Sequence, residues 1–256
     1  MVEFDAFQKS KEFWLNTAPE LLIEALSRKS LFFDLIIIDE GQDFVCYNWW
    51  NAIEEMLHKD GSWFIFYDPK QLLFDRERES ESFRFPFEGP NLILSYDLRN
   101  SRNIFREIKK AFNTECQCHS EIPDGQNVVF RQYEKPSEQK KIIEGILNKL
   151  LSEKINMSQI VLLGTHSLKE NSRSSIKAGD FLGKYKVVPY DFKYQADTIR
   201  ISNSWNFKGL ESDIVIIFDI EDSAIDQKML YVSMSRAKLL LILLHGKAFK
   251  PWNFEK

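Results

Sequence analysis

The sequence predicts an α/β protein built on parallel sheets flanked by helices, and three observations predict it. Short, almost uniformly apolar runs recur along the chain, most of them rich in β-branched residues. Stretches with helical spacing stand between most of them. Composition is ordinary for a globular chain of 256 residues, with 44% apolar and 28% charged residues and neither internal repeats nor low-complexity tracts. Alternation of this kind is the pattern of strands joined by crossover helices in a parallel sheet.

The runs are DLIIID (34–39), SWFIFYD (62–68), NLILSY (91–96), NVVFRQY (127–133), QIVLLG (159–164), TIRIS (198–202), DIVIIF (213–218) and LLLILL (239–244). Strands covered on both faces lose polar alternation, so each reads as a buried strand. The helical stretches are PELLIEALSR (19–28), WWNAIEEMLH (49–58), SRNIFREIKKAF (101–112), SEQKKIIEGILNKLLSE (137–153) and DQKMLYVSMSRAK (226–238). Ser101 and Ser137 are placed as N-caps. The polar segment NTECQCHSEIPDGQ (113–126) marks a boundary, giving domains 1–113 and 114–256, and KENSRSSIKAGD (169–180) reads as an exposed loop.

Bulk properties narrow the function classes. A net charge of −4 lacks the basic footprint of a nucleic-acid binder, although a local basic groove is compatible with it. Three cysteines argue against a disulfide framework and fit a reducing cytoplasm. The start MVEFDAFQKS lacks the basic and apolar parts of a signal peptide. The run LLLILL is far below the roughly 20 residues a membrane span needs, so no membrane partner is expected. CQCH (116–119) has no second cluster at zinc spacing and reads as a surface turn.

Chemistry concentrates where strands end. IIIDEGQDF closes a strand with Asp39 and Glu40, which in an open α/β sheet emerge at the ligand-binding edge. There Asp39 can hold magnesium through water and Glu40 can take a proton from an attacking water. The next strand ends FIFYDPKQ, with Asp68 and Gln71; taken alone this is a turn. Arg99 in LSYDLRNSRNI precedes a helix, where a guanidinium can clamp phosphate oxygens. NSWNFKGLESDIVII carries a Lys-Gly-Leu-Glu turn between two strands, and MLYVSMSRAKLLLIL puts Arg236 between a helix and a strand.

In this order, DEGQDF, YDPKQ, LRNSRNI, FKGLESD and LYVSMSRAK resemble the motor motifs of UvrD/Rep-like superfamily 1 DNA helicases, over about residues 19–246. The resemblance implies RecA-like lobes that clamp ATP between them and move on single-stranded DNA: a partial first lobe and a complete second lobe. It implies Asp39 as the magnesium aspartate, Glu40 as catalytic base, Gln71 as γ-phosphate sensor, and Arg99 and Arg236 as arginines reaching the γ-phosphate. Asp68, Lys208, Gly209 and Glu211 are implied on the nucleotide side. Phe74, Arg76, Trp205 and Asn206 are implied as nucleic-acid contacts, with Arg78 beside them.

The pattern also breaks. The family's G-x-x-x-x-G-K-[ST] loop, which cradles the phosphates, is absent; GDFLGKY (179–185) and HGKAF (245–249) fail its spacing and its hydroxyl. Only 31 residues precede FFDLIIIDEGQDF, so the chain is expected to begin inside the first lobe. Where family members carry Thr-x-His, this chain has Asn203 and Trp205, and Phe207 reads as core. Only about 100 residues separate LRNSRNI from FKGLESD, leaving no room for a large helical insertion.

Two functions follow as expectations. One is a motor subunit using ATP and Mg2+ once a partner protein or missing sequence supplies the phosphate loop. The other is a non-catalytic helicase-like scaffold or sensor in a larger complex. A third origin, a fragment of a longer helicase, stays open beside these, with Met1 followed at once by structured-looking sequence mildly favouring a natural start.

Overall fold

The computed structural model describes residues 12–29, 31–44, 47–68, 71, 89, 92–169, 171–222 and 225–251. The chain divides into two compact units, Met1–Asn91 and Leu92–Lys256.

In the first unit, helix α1 (Ala18–Lys29) leads to strand β1 (Phe33–Ile38), helix α2 (Tyr47–Glu54) and strand β2 (Leu57–Ile65). β1 and β2 pair in parallel, with Ile36, Ile37 and Ile38 opposite Trp63, Phe64 and Ile65. One face of this pair, Ile36, Ile38, Trp63 and Ile65, packs with Trp50 and Ile53 of α2. The Trp50 indole N–H donates to the Phe44 carbonyl at 2.7 Å, which holds the loop after β1 against α2. On the opposite face Leu35, Ile37 and Phe64 are exposed. β1 was expected to be buried on both faces; here one face alone is covered.

The second unit carries a mostly parallel seven-stranded sheet in the order β5-β11-β10-β6-β9-β8-β7. Its elements follow two short paired strands, β3 (Tyr96–Asp97) and β4 (Gln117–Cys118), and helix α3 (Arg102–Phe112). They are β5 (Val129–Tyr133), α4 (Gln139–Ser152), β6 (Ile160–Gly164), β7 (Phe181–Leu182), β8 (Tyr185–Pro189), β9 (Thr198–Asn203), β10 (Ser212–Asp222), α5 (Gln227–Met234) and β11 (Ala237–Ala248). Pairing is parallel throughout except between β7 and β8.

Period-two alternation sorts the strand residues onto two covered faces. Ile160, Leu162, Ile214, Ile216 and Phe218 pack with Ile143 and Leu147 of α4. Val161, Leu163, Val215 and Ile217 pack with Ile104 and Ile108 of α3 and with Leu230 and Met234 of α5. Helices therefore cover both faces, which is why these runs carry no polar alternation. By its contacts α3 belongs to this unit, upstream of the 113–126 segment where the sequence placed a boundary.

Several local expectations are corrected. NLILSY forms no long strand: Leu92, Ile93 and Leu94 are highly exposed, and pairing begins only at Tyr96. Ser101 occupies the N-cap position of α3 but makes no capping bond with its side chain. Ser137 lies in a short 3-10 turn, Pro136–Glu138, ahead of α4. CQCH supplies β4. The 169–180 loop is anchored rather than free, because Asp219 reaches it from the core. The buried Asp219 carboxylate accepts from Gln139 Nε2 at 2.8 Å, Ser174 Oγ at 2.9 Å and Ser175 Oγ at 2.6 Å. A buried carboxylate is tolerable only with such partners, and they draw Ser174 and Ile176 inside.

Ile216→Ala is expected to cost about 2–5 kcal/mol by urea denaturation, because it empties a fully buried site. Leu239→Ala, in an exposed position of the apolar run of β11, is expected to change stability by less than about 0.5 kcal/mol.

Candidate functional site

The first unit assembles its acids at the ends of two neighbouring parallel strands. Beyond the Ile38–Ile65 pair, Phe66 donates its N–H to the Ile38 carbonyl at 2.8 Å, and Gly41 donates to the Phe66 carbonyl at 2.9 Å. The segments after residue 38 and after residue 65 are thus laced together. Asp39 is exposed and accepts from the Glu40 N–H at 2.9 Å. Glu40 stands in the left-handed region with φ 52°, a conformation that costs a non-glycine residue about 1–2 kcal/mol. It turns the chain into a short 3-10 segment, Gly41–Asp43.

Gln42 in that segment is fully buried. Its Nε2 donates to Glu40 Oε2, and its Oε1 accepts from the Asp68 N–H at 3.0 Å. Asp68 Oδ2 in turn accepts from Gln71 Nε2 at 2.8 Å. Glu40, Asp68 and Gln71 are therefore joined through Gln42, a residue that carried no role of its own in the sequence. Gln42 was legible only as a polar letter in DEGQD; its distant partner, Asp68, lies just past the end of the neighbouring strand. Phe74, Arg76 and Arg78 lie outside the described residues.

The second unit gathers a different set. Arg99 Nε donates to Glu211 Oε2 at 3.0 Å, while Lys238 Nζ lies 3.5 Å from Glu211 Oε1 and 2.9 Å from Asp213 Oδ1. Asn100, itself buried, donates to the carbonyls of Ser235 and Ala237 at 3.1 and 2.6 Å. The Ser101 N–H donates to the Lys238 carbonyl at 2.8 Å, so the segment before α3 is pinned to the start of β11. Arg236 is only 1% exposed. Its guanidinium donates to the carbonyls of Val232 and Leu210 at 3.0 and 3.4 Å and to Ser235 Oγ at 3.0 Å.

The turn between β9 and β10 is built by Asn203. Its Oδ1 accepts from the Asn206 N–H at 2.7 Å, and its carbonyl accepts from the Phe207 N–H at 3.1 Å. Phe207 is fully buried edge-to-face on Tyr190, as core. Trp205 and Lys208 are half-buried, and Asn206 is exposed. Gly209 has φ 78°, with open space where a Cβ would stand, so backbone conformation rather than crowding calls for glycine. Asp39 and Glu40 present oxygen donors, which magnesium takes through one or two carboxylates alongside phosphate and water. Among the described residues no group of three acids, histidines or cysteines is placed to hold a metal by itself.

No family model and no curated protein matches the chain. Among solved structures it is similar to the C-terminal domain of a possible DNA helicase from Lactobacillus plantarum WCFS1. Identity is 17% and the TM-score 0.43, covering 60% of this chain and 90% of that one. No helix of the described residues is long and apolar enough to cross a membrane.

The Lys238–Asp213 pair makes a pH prediction. The Asp213 carboxyl is held below its ordinary value, first by the hydrogen bond from Lys238 and then by that from Gln159. The Lys238 ammonium is held above its ordinary value, chiefly by Asp213. A depressed acid contributes stability that is present above its unfolded pKa and lost as pH falls through the folded one. A raised base contributes stability that is full below its unfolded pKa and lost as pH rises through the folded one. The stability difference between wild type and Lys238→Met should therefore be flat through neutral pH, and shrink as pH falls below the ordinary aspartate value of 3.8 or rises above the ordinary lysine value of 10.5. A difference unchanged in acid would exclude Asp213 as the partner.

Proposed function

We propose that the chain is the acid- and arginine-bearing part of a UvrD/Rep-like superfamily 1 motor. It acts in ATP-dependent movement on single-stranded DNA when a phosphate loop is supplied by a partner or by a longer form of the chain. The observation that carries this reading is the run of hydrogen bonds from Glu40 through Gln42 to Asp68 and Gln71 at the laced ends of β1 and β2, with Asp39 next to Glu40. Two segments separated in sequence converge on one strand edge, with an acid for magnesium, an acid for the attacking water and an amide for the terminal phosphate. In this reading both units are RecA-like. Asp39 holds the metal through water, Glu40 takes the water's proton, and Gln71 contacts the γ-phosphate. Within the second unit, Arg99, Arg236, Lys208, Gly209 and Glu211 are the residues that the resemblance assigns to nucleotide.

The uncovered side of β1 and β2 supports a further protein part. Parallel strands are ordinarily covered on both faces, and here Leu35, Ile37 and Phe64 are 49%, 64% and 56% exposed. Trp205 and Asn206, on the turn leaving β9, offer a stacking surface and a polar group to nucleic acid.

A second reading, the non-catalytic scaffold or sensor, is favoured by Arg236. A guanidinium donating to two carbonyls and a hydroxyl is doing structural duty in this conformation. On that reading the second unit keeps the motif as a packing device.

The test is ATP turnover with magnesium and single-stranded DNA, after the chain is combined with its co-purifying phosphate-loop protein or expressed in a longer form. Glu40→Gln is expected to lower turnover by about 10²–10⁴-fold, the range for a positioned general base. Turnover that survives the substitution, or a chain that co-purifies with no phosphate-loop protein and has no longer form, overturns the motor reading. In the same assembly Trp205→Ala is expected to weaken binding of a fluorescent thymidine oligomer by about 1–3 kcal/mol. Unchanged oligomer binding removes Trp205 from the nucleic-acid side.

A further inference from the structure

We propose that Gln42 is a positioning residue that couples the acid Glu40 to the sensor Gln71, so that displacement of one is felt by the other. The inference deepens the motor reading above and rests on it for the roles of the two end residues.

The geometry is directional. Gln42 has no exposed surface, and both ends of its amide are engaged. The Nε2 end holds the Glu40 carboxylate. The Oε1 end takes the backbone N–H of Asp68, whose carboxylate holds Gln71 Nε2 and whose carbonyl accepts the Gln71 N–H at 2.9 Å. A buried amide cannot flip here without setting donor against donor and leaving an acceptor without its hydrogen.

A buried glutamine needs an acceptor for its amide hydrogens, and a backbone carbonyl or a hydroxyl would meet that need as well as a carboxylate. This one spends its donor on the residue proposed to take the water's proton. That residue also stands in a left-handed backbone conformation. Departures of this kind persist only where the surroundings over-determine them, and the Gln42 contact is one such determinant. Asp43 donating to the Glu40 carbonyl at 2.9 Å and Gly41 donating to the Phe66 carbonyl at 2.9 Å are others. Any pull on Gln71 by a terminal phosphate moves Asp68, shifts the acceptor requirement of Gln42, and reorients the Glu40 carboxylate. The acid is thereby brought into line when the sensor is engaged.

The experiment needs no nucleotide. The side-chain amide resonances of Gln71 and the backbone amide of Asp68 are recorded by 15N NMR in the full chain, with and without Glu40→Gln. The same comparison is then made in a Gln42→Met background, which keeps the bulk and removes both links. Glu40→Gln is expected to shift the Gln71 resonances in the wild-type background and to leave them in place with Gln42→Met. If Gln42→Met does not fold, the reciprocal measurement keeps Gln42 in place: Gln71→Ala is expected to shift the Gln42 side-chain amide resonances, and resonances left unmoved overturn the coupling. Gln71 resonances unmoved by Glu40→Gln, or moved equally in both backgrounds, overturn the coupling. Either outcome leaves the motor reading to the turnover measurement, so the two can fail separately.

Discussion

Parallel pairing of neighbouring strands is the constraint on which the rest depends. Once Ile38 lies opposite Ile65, whatever follows each strand must emerge at the same edge. The two further backbone bonds through Phe66 carry that alignment past the strand ends. Register brings the segments after Ile38 and Ile65 to one edge, and the side-chain bonds through Gln42 then join Glu40 to Asp68 and Gln71 there. Two adjacent acids would otherwise repel, and the amides of Gln42 and Gln71 supply the donors that such a cluster needs.

In the second unit the organising force is the need to satisfy polar groups that the crossovers bury. Helices on both faces of the seven-stranded sheet leave the segments at its edges partly out of water. Asn100 and Arg236 answer the carbonyls of Ser235, Ala237, Val232 and Leu210. Their bonds draw the segment before α3, the Lys-Gly-Leu-Glu turn and the end of α5 onto the start of β11. Arg99, Glu211 and Lys238 then meet at the surface as a consequence. Those exposed ion pairs add little stability of their own, since solvent screens them. Their position comes from the buried amide and guanidinium beneath.

The same need shapes the opposite end of the sheet. Asp219, inside β10 where the pairing with β11 shifts register between Ile217 and Ile220, has φ 63° and a buried carboxylate that Gln139, Ser174 and Ser175 meet. A polar loop is thereby tied to the start of α4 and to a central strand. Composition had marked that loop as solvent-facing; a single buried acid outweighs the composition of twelve residues.

By itself the sequence determined what depends on local periodicity and short-range pattern. Apolar runs at 159–164, 198–202, 213–218 and 239–244 are strands, and helices sit at 102–112, 139–152 and 227–234, because side-chain period and backbone period must agree. It also determined that Asp39, Glu40, Asp68 and Gln71 stand at or just beyond strand ends, since those runs stop there. Only the tertiary structure decided what depends on the neighbour across the gap. It left one face of β1 exposed and, among the described residues, Leu92–Leu94 outside any strand, although both runs look like buried strands. It chose Gln42 as the link between the acids and the sensor, and placed Arg236 inside rather than at the surface. Periodicity states which way a side chain points relative to its own backbone. What it meets there is set by residues far along the chain, and no local pattern encodes that.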